Sequence, residues 1–146
     1  TTFANRQCGW AAGGWLRDKT VATCGGIGII LATKDAGQHW RACWQGKGGW
    51  FHDVCFVDEK AGWVCGENGT VLKTEDGGAT WTQLQATNTM DILYGICFAN
   101  RDCGWAVGGN ETIISTRDGG RTWTRERCPL LPRPLGTRKT FRAVSA

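Results

Sequence analysis

The sequence predicts an all-β fold made of β-propeller blades. We expect about three four-stranded antiparallel blades, forming an incomplete ring or half of a dimeric one. Three observations predict it. A unit with a period of 41 to 42 residues occurs three times. Each unit contains short apolar or alternating runs of strand length, with no helical periodicity. Turn residues punctuate these runs, and the chain of 146 residues holds 22 Gly but only 3 Pro.

The repeat is carried by three markers in fixed order. One is Thr33-Lys-Asp35-Ala-Gly37-Gln-His39-Trp40, which returns as Thr74-Glu-Asp76-Gly-Gly78-Ala-Thr80-Trp81 and as Thr116-Arg-Asp118-Gly-Gly120-Arg-Thr122-Trp123. Gly-Trp is the second marker, at Gly9-Trp10, Gly62-Trp63 and Gly104-Trp105. An aromatic precedes each: Phe3, Phe56 and Phe98. Of the 9 Trp, two fall in each unit and three (Trp15, Trp44 and Trp50) are extra.

The third unit shows the elements in order. Ile92–Phe98 is an apolar run suited to a buried inner strand. Cys103–Gly108 alternates, with Cys103, Trp105 and Val107 on one face. Thr112–Thr116 is the third strand, and the fourth begins near Thr122-Trp123. Turns fall at 100–102, 109–110 and 118–120, where Asn, Asp and Gly cluster. The expected blades span roughly 1–50, 51–91 and 92–127, followed by a linker at 128–138 holding all three prolines and a trailing inner strand at 139–146. In the first unit an insertion from Trp15 to Gly26 makes a candidate contact loop or a passive surface excursion.

The Asp35, Asp76 and Asp118 segments have a structural logic. Each carboxylate can accept N–H groups of its own turn. The Gly permits a positive φ, and Trp40, Trp81 or Trp123 then folds over the hairpin. A carboxylate engaged this way is a poor catalyst. His39, which stands where the other copies have Thr, reads as a surface substitution.

These segments are similar to the Asp-box, or BNR, repeat. The joint pattern from Gly62-Trp63-Val-Cys-Gly66 through Trp81, and from Gly104-Trp105-Ala-Val-Gly108 through Trp123, resembles the photosystem II stability/assembly factor family. That resemblance implies a seven-bladed propeller of the thylakoid lumen that binds reaction-centre precursors and is not an enzyme. The sequence departs from the pattern in having about three blades, more cysteines and the insertion in unit one.

Composition and charge bound the rest. Charged residues are 21%, which excludes a disordered chain, and no apolar run reaches the roughly 18 residues of a membrane span. Residues 1–120 carry 10 basic and 12 acidic side chains; residues 121–146 carry 7 basic and one acidic. A basic end attracts an acidic partner, so Arg127, Arg133, Arg138, Lys139 and Arg142 are candidate partner-binding residues. No nucleic-acid reader motif accompanies them.

Eight cysteines suggest an oxidising compartment, secreted, periplasmic or an organelle lumen, with at least two disulfides, and the family resemblance implies the thylakoid lumen. Cys8 with Cys24 is the first pair expected; reduced thiols filling the core are the alternative. No tight C-x2-C pair suggests zinc. Neither a cofactor nor a metal site is expected.

No catalytic set emerges. The inner strands offer His52, Asp53, Tyr94 and Arg142, without the two facing carboxylates a glycosidase needs. His52 and Asp53 are adjacent on a strand and are expected on opposite faces. Asn68-Gly-Thr70 and Asn110-Glu-Thr112 are sequons, though Asn also suits a tight turn there.

The functional expectation is a non-enzymatic protein-binding scaffold or assembly subunit, including one of a photosynthetic membrane complex. The alternative is a secreted lectin-like propeller stacking sugars on Trp15, Trp44 or Trp50. Thr1-Thr2-Phe3 aligns with Val54-Cys55-Phe56, and Phe141–Ala146 aligns with Phe51–Phe56. The ends thus share one phase of the repeat. Two copies forming a six-bladed dimer, a segment of a longer array, and a subunit docked in a larger complex all fit that phase.

Overall fold

The computed structural model describes residues 1–4, 7–15, 26–47, 49–84, 87–126 and 140–145. It contains three antiparallel four-stranded sheets, each with its strands in sequence order. Blade one is β1 (Thr2–Phe3), β2 (Gly9–Trp15), β3 (Ile27–Thr33) and β4 (Arg41–Lys47). Blade two is β5 (Phe51–Phe56), β6 (Gly62–Gly66), β7 (Val71–Thr74) and β8 (Thr82–Leu84). Blade three is β9 (Leu93–Phe98), β10 (Gly104–Gly108), β11 (Ile113–Thr116) and β12 (Thr124–Arg125). This is the expected all-β propeller architecture. Among the described residues the sole helical turn is a 3-10 turn at Glu67–Gly69, after β6.

Alternation along β6 explains how the blades stack. All five of its residues are buried. Trp63 and Cys65 enter the cluster with Leu93, Ile96, Phe98, Ala106 and Ile114 of blade three. Val64, between them, enters the cluster with Trp10 and Ile30 of blade one. Successive strand residues point to opposite faces, so one strand feeds two cores. On β7 the same split sends Val71 one way and Leu72 the other. The cores therefore lie between blades.

The Gly-Trp marker follows from this packing. A Cβ on Gly62 would sit 2.5 Å from the Phe56 ring, and one on Gly104 2.5 Å from Phe98. Glycine leaves room for that ring, and the next residue supplies an indole to the following blade.

Two expectations need correction. In blade one β2 and β3 are seven residues each and pair from Gly9↔Thr33 to Trp15↔Ile27, so the expected insertion begins inside the hairpin at Trp15, and its residues 16–25 lie outside the described residues. The trailing inner strand is not a regular strand over 140–145; the Phe141 N–H donates to Gly108 O at 3.1 Å. Its pairing partner would be the second strand of a following blade, which the described residues do not include. The linker at 128–138 lies outside the described residues.

Candidate functional site

The three Asp boxes come first, because they hold the most strongly perturbed carboxylates. Asp76 accepts the Thr80 N–H at 2.9 Å, the Thr80 hydroxyl at 2.6 Å and the Thr74 hydroxyl at 2.8 Å. Asp118 repeats this with Thr122 and Thr116 at the same distances. Asp35 accepts the His39 N–H at 2.9 Å and the Thr33 hydroxyl at 2.7 Å. His39 Nδ1 lies 2.7 Å from Asp35 Oδ2, taking the place of the missing hydroxyl. Bonds to the ionised form lower a carboxyl pKa. Asp76 and Asp118 are brought to about 2, chiefly by the Thr hydroxyl and N–H. Asp35 is also brought to about 2, chiefly by the His39 N–H.

The turns do two more things. Gly78 and Gly120 adopt φ of 87° and 90°, the region open to glycine, and donate N–H to Thr74 and Thr116 at 2.9 Å. The turn carbonyls of Gly77 and Gly119 accept the indole N–H of Trp10 at 3.2 Å and Trp63 at 3.1 Å, each from the preceding blade. Trp81 and Trp123 stand edge-on to Phe56 and Phe98 at 6.0 Å. Trp40 is half-buried beside Gly37. Each Asp thus shapes its own turn, and in blades two and three the carbonyl of that turn clasps the indole of the preceding blade.

A second constellation lies on the inner strands. Phe51 pairs with Gly66 and Asp53 with Cys65, so His52 is the extra residue of a bulge in β5. Tyr94 is extra in β9 in the same way, between Leu93↔Gly108 and Gly95↔Val107. Bulges re-aim a side chain out of the sheet alternation. The His52 ring meets the Tyr94 ring at 5.1 Å, and the Arg142 guanidinium lies 5.8 Å from the Tyr94 centroid on its other neighbour. His52, Tyr94 and Arg142 share one repeat phase, so successive blades build a row of imidazole, phenol and guanidinium. His52 and Arg142 are exposed and Tyr94 half-buried. Such a row offers hydrogen-bond donors and a cation to an extended, acidic ligand.

Asp53 is not part of that row. Its Oδ2 accepts the Ile96 N–H at 3.0 Å and its Oδ1 the Val54 N–H at 2.9 Å, tying β5 to β9. His52 and Asp53 both reach blade three, contrary to strict alternation, because of the bulge at His52.

Comparison with known proteins places this geometry. A sequence profile described as photosynthesis system II assembly factor YCF48 matches residues 48–91 and 82–145. The chain belongs to the YCF48 family. Two solved structures are similar to it. One, described as YCF48 bound to a D1 peptide, is 24% identical with a TM-score of 0.69, over 84% of this chain and 37% of that one. The other, YCF48 from Cyanidioschyzon merolae, is 19% identical with a TM-score of 0.57, over 80% of this chain and 39% of that one. Both likenesses show the propeller fold, and this chain spans less than two fifths of each structure. No curated protein gave a significant match.

The remaining sequence candidates distribute unevenly over this YCF48-type scaffold. Arg127, Arg133, Arg138 and Lys139 lie outside the described residues, and Arg142 alone of the five is placed. Cys24 of the expected Cys8–Cys24 pair also lies outside them. Trp44 contacts Phe51 at 5.1 Å, packing blade one against blade two, and the Trp50 indole lies over Gly14 and Gly26 while remaining 36% exposed. Trp15 is the last residue of β2. Asn68 and Asn110 have φ of 55° and 51°, as tight-turn residues do.

The cysteines correct an expectation. Cys43, Cys55, Cys65, Cys97 and Cys103 are thiols. Only Cys8, Cys24 and Cys128 remain of the eight, enough for one intrachain pair at most. The reason is burial: Cys55 and Cys65 pack in the core between blades two and three, and Cys97 of β9 is buried as well. Desolvation raises all three thiol pKa values, Cys65 most. Among the described residues no group of three or more His, Cys, Asp or Glu could hold a metal ion, and no helix is long and apolar enough to cross a membrane.

Proposed function

We propose that the chain is a non-enzymatic protein-binding subunit in photosystem II assembly, working in the thylakoid lumen. Membership of the YCF48 family carries this reading. The row of His52, Tyr94 and Arg142 supports it, because its donors and cation suit a peptide carboxylate or acidic side chain. In the sequence the basic residues Arg127, Arg133, Arg138 and Lys139 precede Arg142. Non-enzymatic action is supported by the Asp boxes, whose carboxylates are held by their own turns, and by Asp53, which is held by backbone N–H groups. The lumen is proposed from the family resemblance rather than from the cysteines, of which Cys43, Cys55, Cys65, Cys97 and Cys103 are thiols.

The D1 peptide, bound by one of the similar structures, is the ligand to try. A fluorescently labelled D1 peptide titrated with the chain should show saturable anisotropy. Arg142→Ala should weaken binding about tenfold, the worth of one charge-assisted hydrogen bond. Tyr94→Ala should weaken it less. No binding by the wild-type chain would overturn the D1 reading; binding unaffected by either variant would move the site off this row.

A further inference from the structure

The two junctions between blades share one frame but are filled differently. At each, the indole of one blade reaches the Asp-box carbonyl of the next, Trp10 to Gly77 and Trp63 to Gly119. The third and fourth strands of the earlier blade then face that Asp box. Between blades two and three, long side chains fill this face. The Lys73 ammonium lies 5.6 Å from the Trp63 ring centroid and pairs with Glu75 at 2.8 Å. It would be 3.1 Å from a Cβ on Gly119, and Leu84 Cδ1 would be 2.7 Å from one on Gly120. With Arg121 these side chains leave a groove of about 330 Å³.

Between blades one and two the places of Lys73, Leu84 and Arg121 are held by Ala32, Cys43 and Ala79. All three are short. A Cβ on Gly77 would meet only the Glu59 carbonyl within 4 Å, and the nearest atoms to one on Gly78 belong to the Trp10 and Trp81 indoles. Trp81 is half-buried where its counterpart Trp123 is 5% exposed. The groove here is accordingly larger, at about 510 Å³, within the range of about 300 to 1,000 Å³ that ligand clefts occupy.

The charge at its rim is reversed as well. Lys34 stands in the place of Glu75, and Arg41 in the place of Thr82. Arg41 is the cross-strand partner of Ala32, so it flanks the widened part of the groove. Lys34 and Arg41 are exposed and make no ion pair among the described residues. The two carboxylates that line the groove, Asp35 and Asp76, are each bonded within their own turn, and the His39 ring is held against Asp35. The charge left unpaired is positive.

We propose that this groove takes a glutamate side chain from an acidic segment of a partner protein. The second junction shows the shape of the occupant: there the protein's own Lys73 fills the equivalent space with a straight alkyl chain that ends in a charge. The reversal at residue 34 sets the sign of that charge. Where Lys73 meets Glu75, an incoming chain meets Lys34, so its head is a carboxylate. Arg41 offers paired N–H donors to the same head. Ala32, Cys43 and Ala79 give its methylenes an apolar bed. The groove lies on the Asp-box side of two internal junction faces, apart from the inner-strand row of His52, Tyr94 and Arg142. This inference does not rest on the proposed binding of D1.

The test is an NMR titration of the isotopically labelled chain with the acetylated, amidated peptide Ala-Glu-Glu-Ala. Saturable shifts are expected at the Ala32 and Ala79 methyl groups, with a midpoint near about 1 mM, as suits a small contact. Lys34→Ala should weaken binding about three- to fivefold, the worth of a solvent-exposed ion pair. Ala32→Lys combined with Lys34→Glu rebuilds the Lys73–Glu75 arrangement and should abolish binding. Residues 32 and 34 lie outside the buried core, so both variants should keep the amide spectrum of blades two and three. Absence of saturable shifts at Ala32 and Ala79 would overturn the inference. Equal shifts with Ala-Gln-Gln-Ala would remove the carboxylate from it, and equal shifts with inorganic phosphate would make the groove a site for any anion; either result overturns it too. Shifts that gather on Tyr94 instead would assign the peptide to the inner-strand row and do the same.

Discussion

Trp63 and Trp105 occupy the same position in successive copies of one repeat, yet their environments differ completely. Trp63 is fully buried, stacked and hydrogen-bonded; Trp105 keeps 36% of its surface in solvent. The sequence around them is nearly the same, Gly-Trp-Val-Cys-Gly against Gly-Trp-Ala-Val-Gly. What differs is the neighbour. In this fold a side chain is buried by the next blade, so a repeat residue can be core in one copy and surface in another. Blade two, covered on both faces, is the reference against which the outer blades are measured.

The sharpest way to break that comparison is truncation. Trp63→Ala should destabilise the chain by about 3–5 kcal/mol, as large aromatic deletions in cores do. Trp105→Ala, at a 36% exposed position, should cost under about 1 kcal/mol when measured by urea unfolding. Equal costs would mean that Trp105 is covered within the single chain.

Glycine substitution gives the next largest contrast. Gly66→Ala forces a methyl into Trp50 O, and overpacking of this kind costs about 1–3 kcal/mol. A Cβ on Gly13, the equivalent residue of blade one, meets nothing within 4 Å among the described residues, so Gly13→Ala should change stability by no more than about 0.5 kcal/mol. A large loss at Gly13 would show that blade one already has a strand on its inner edge.

Smaller effects come from the Asp boxes, which resemble each other across all three blades. Thr74 is 1% exposed, gives its hydroxyl hydrogen to Asp76 and accepts the Gly78 N–H. Thr74→Val leaves that N–H unsatisfied, at a cost of about 1–3 kcal/mol. Thr116→Val should cost the same, since Thr116 makes the same bonds in blade three. Acid tests the clasps together. Asp35, Asp76 and Asp118 have folded pKa values of about 2 against an ordinary 3.8. Because the folded values are depressed, the stability they contribute is present above pH 3.8 and is lost as pH falls through about 2. Thermal melting should therefore hold down to about pH 4 and drop steeply below it; a drop centred on pH 5 to 6 would point to other groups.

How much of this was legible in the sequence follows from what is local. The Asp-box turn is local: Asp76, Gly78 and Thr80 bond within one turn, so spacing alone announced the positive φ and the engaged carboxylate. Strand positions in blade three were legible to within one or two residues for the same reason. The row of His52, Tyr94 and Arg142 was not, because it depends on a bulge that displaces one residue per inner strand. The repeat alignment does put these three residues in one phase, and that was the available signal. Cysteine state was not legible either. Eight cysteines read as a disulfide framework, but Cys55, Cys65 and Cys97 sit where the repeat needs small apolar side chains. Their role is set by burial in the folded blades, which composition does not report.

The smallest predicted effect separates backbone from side chain in the one Asp box that varies. His39 replaces the Thr of the other two copies, and its ring bonds Asp35 as their hydroxyls bond Asp76 and Asp118. The largest cause of the low Asp35 pKa is nevertheless the N–H of residue 39, which any side chain leaves in place. The His39 side chain is 80% exposed, so little packing is at stake. His39→Thr should then alter stability at neutral pH by no more than about 0.5 kcal/mol. Asp35, followed by carboxyl-carbon NMR, should still titrate near 2 in the variant. A return of Asp35 to an ordinary 3.8 would show that the imidazole, rather than the turn, holds this carboxylate, and that blade one closes its box by a different device from blades two and three.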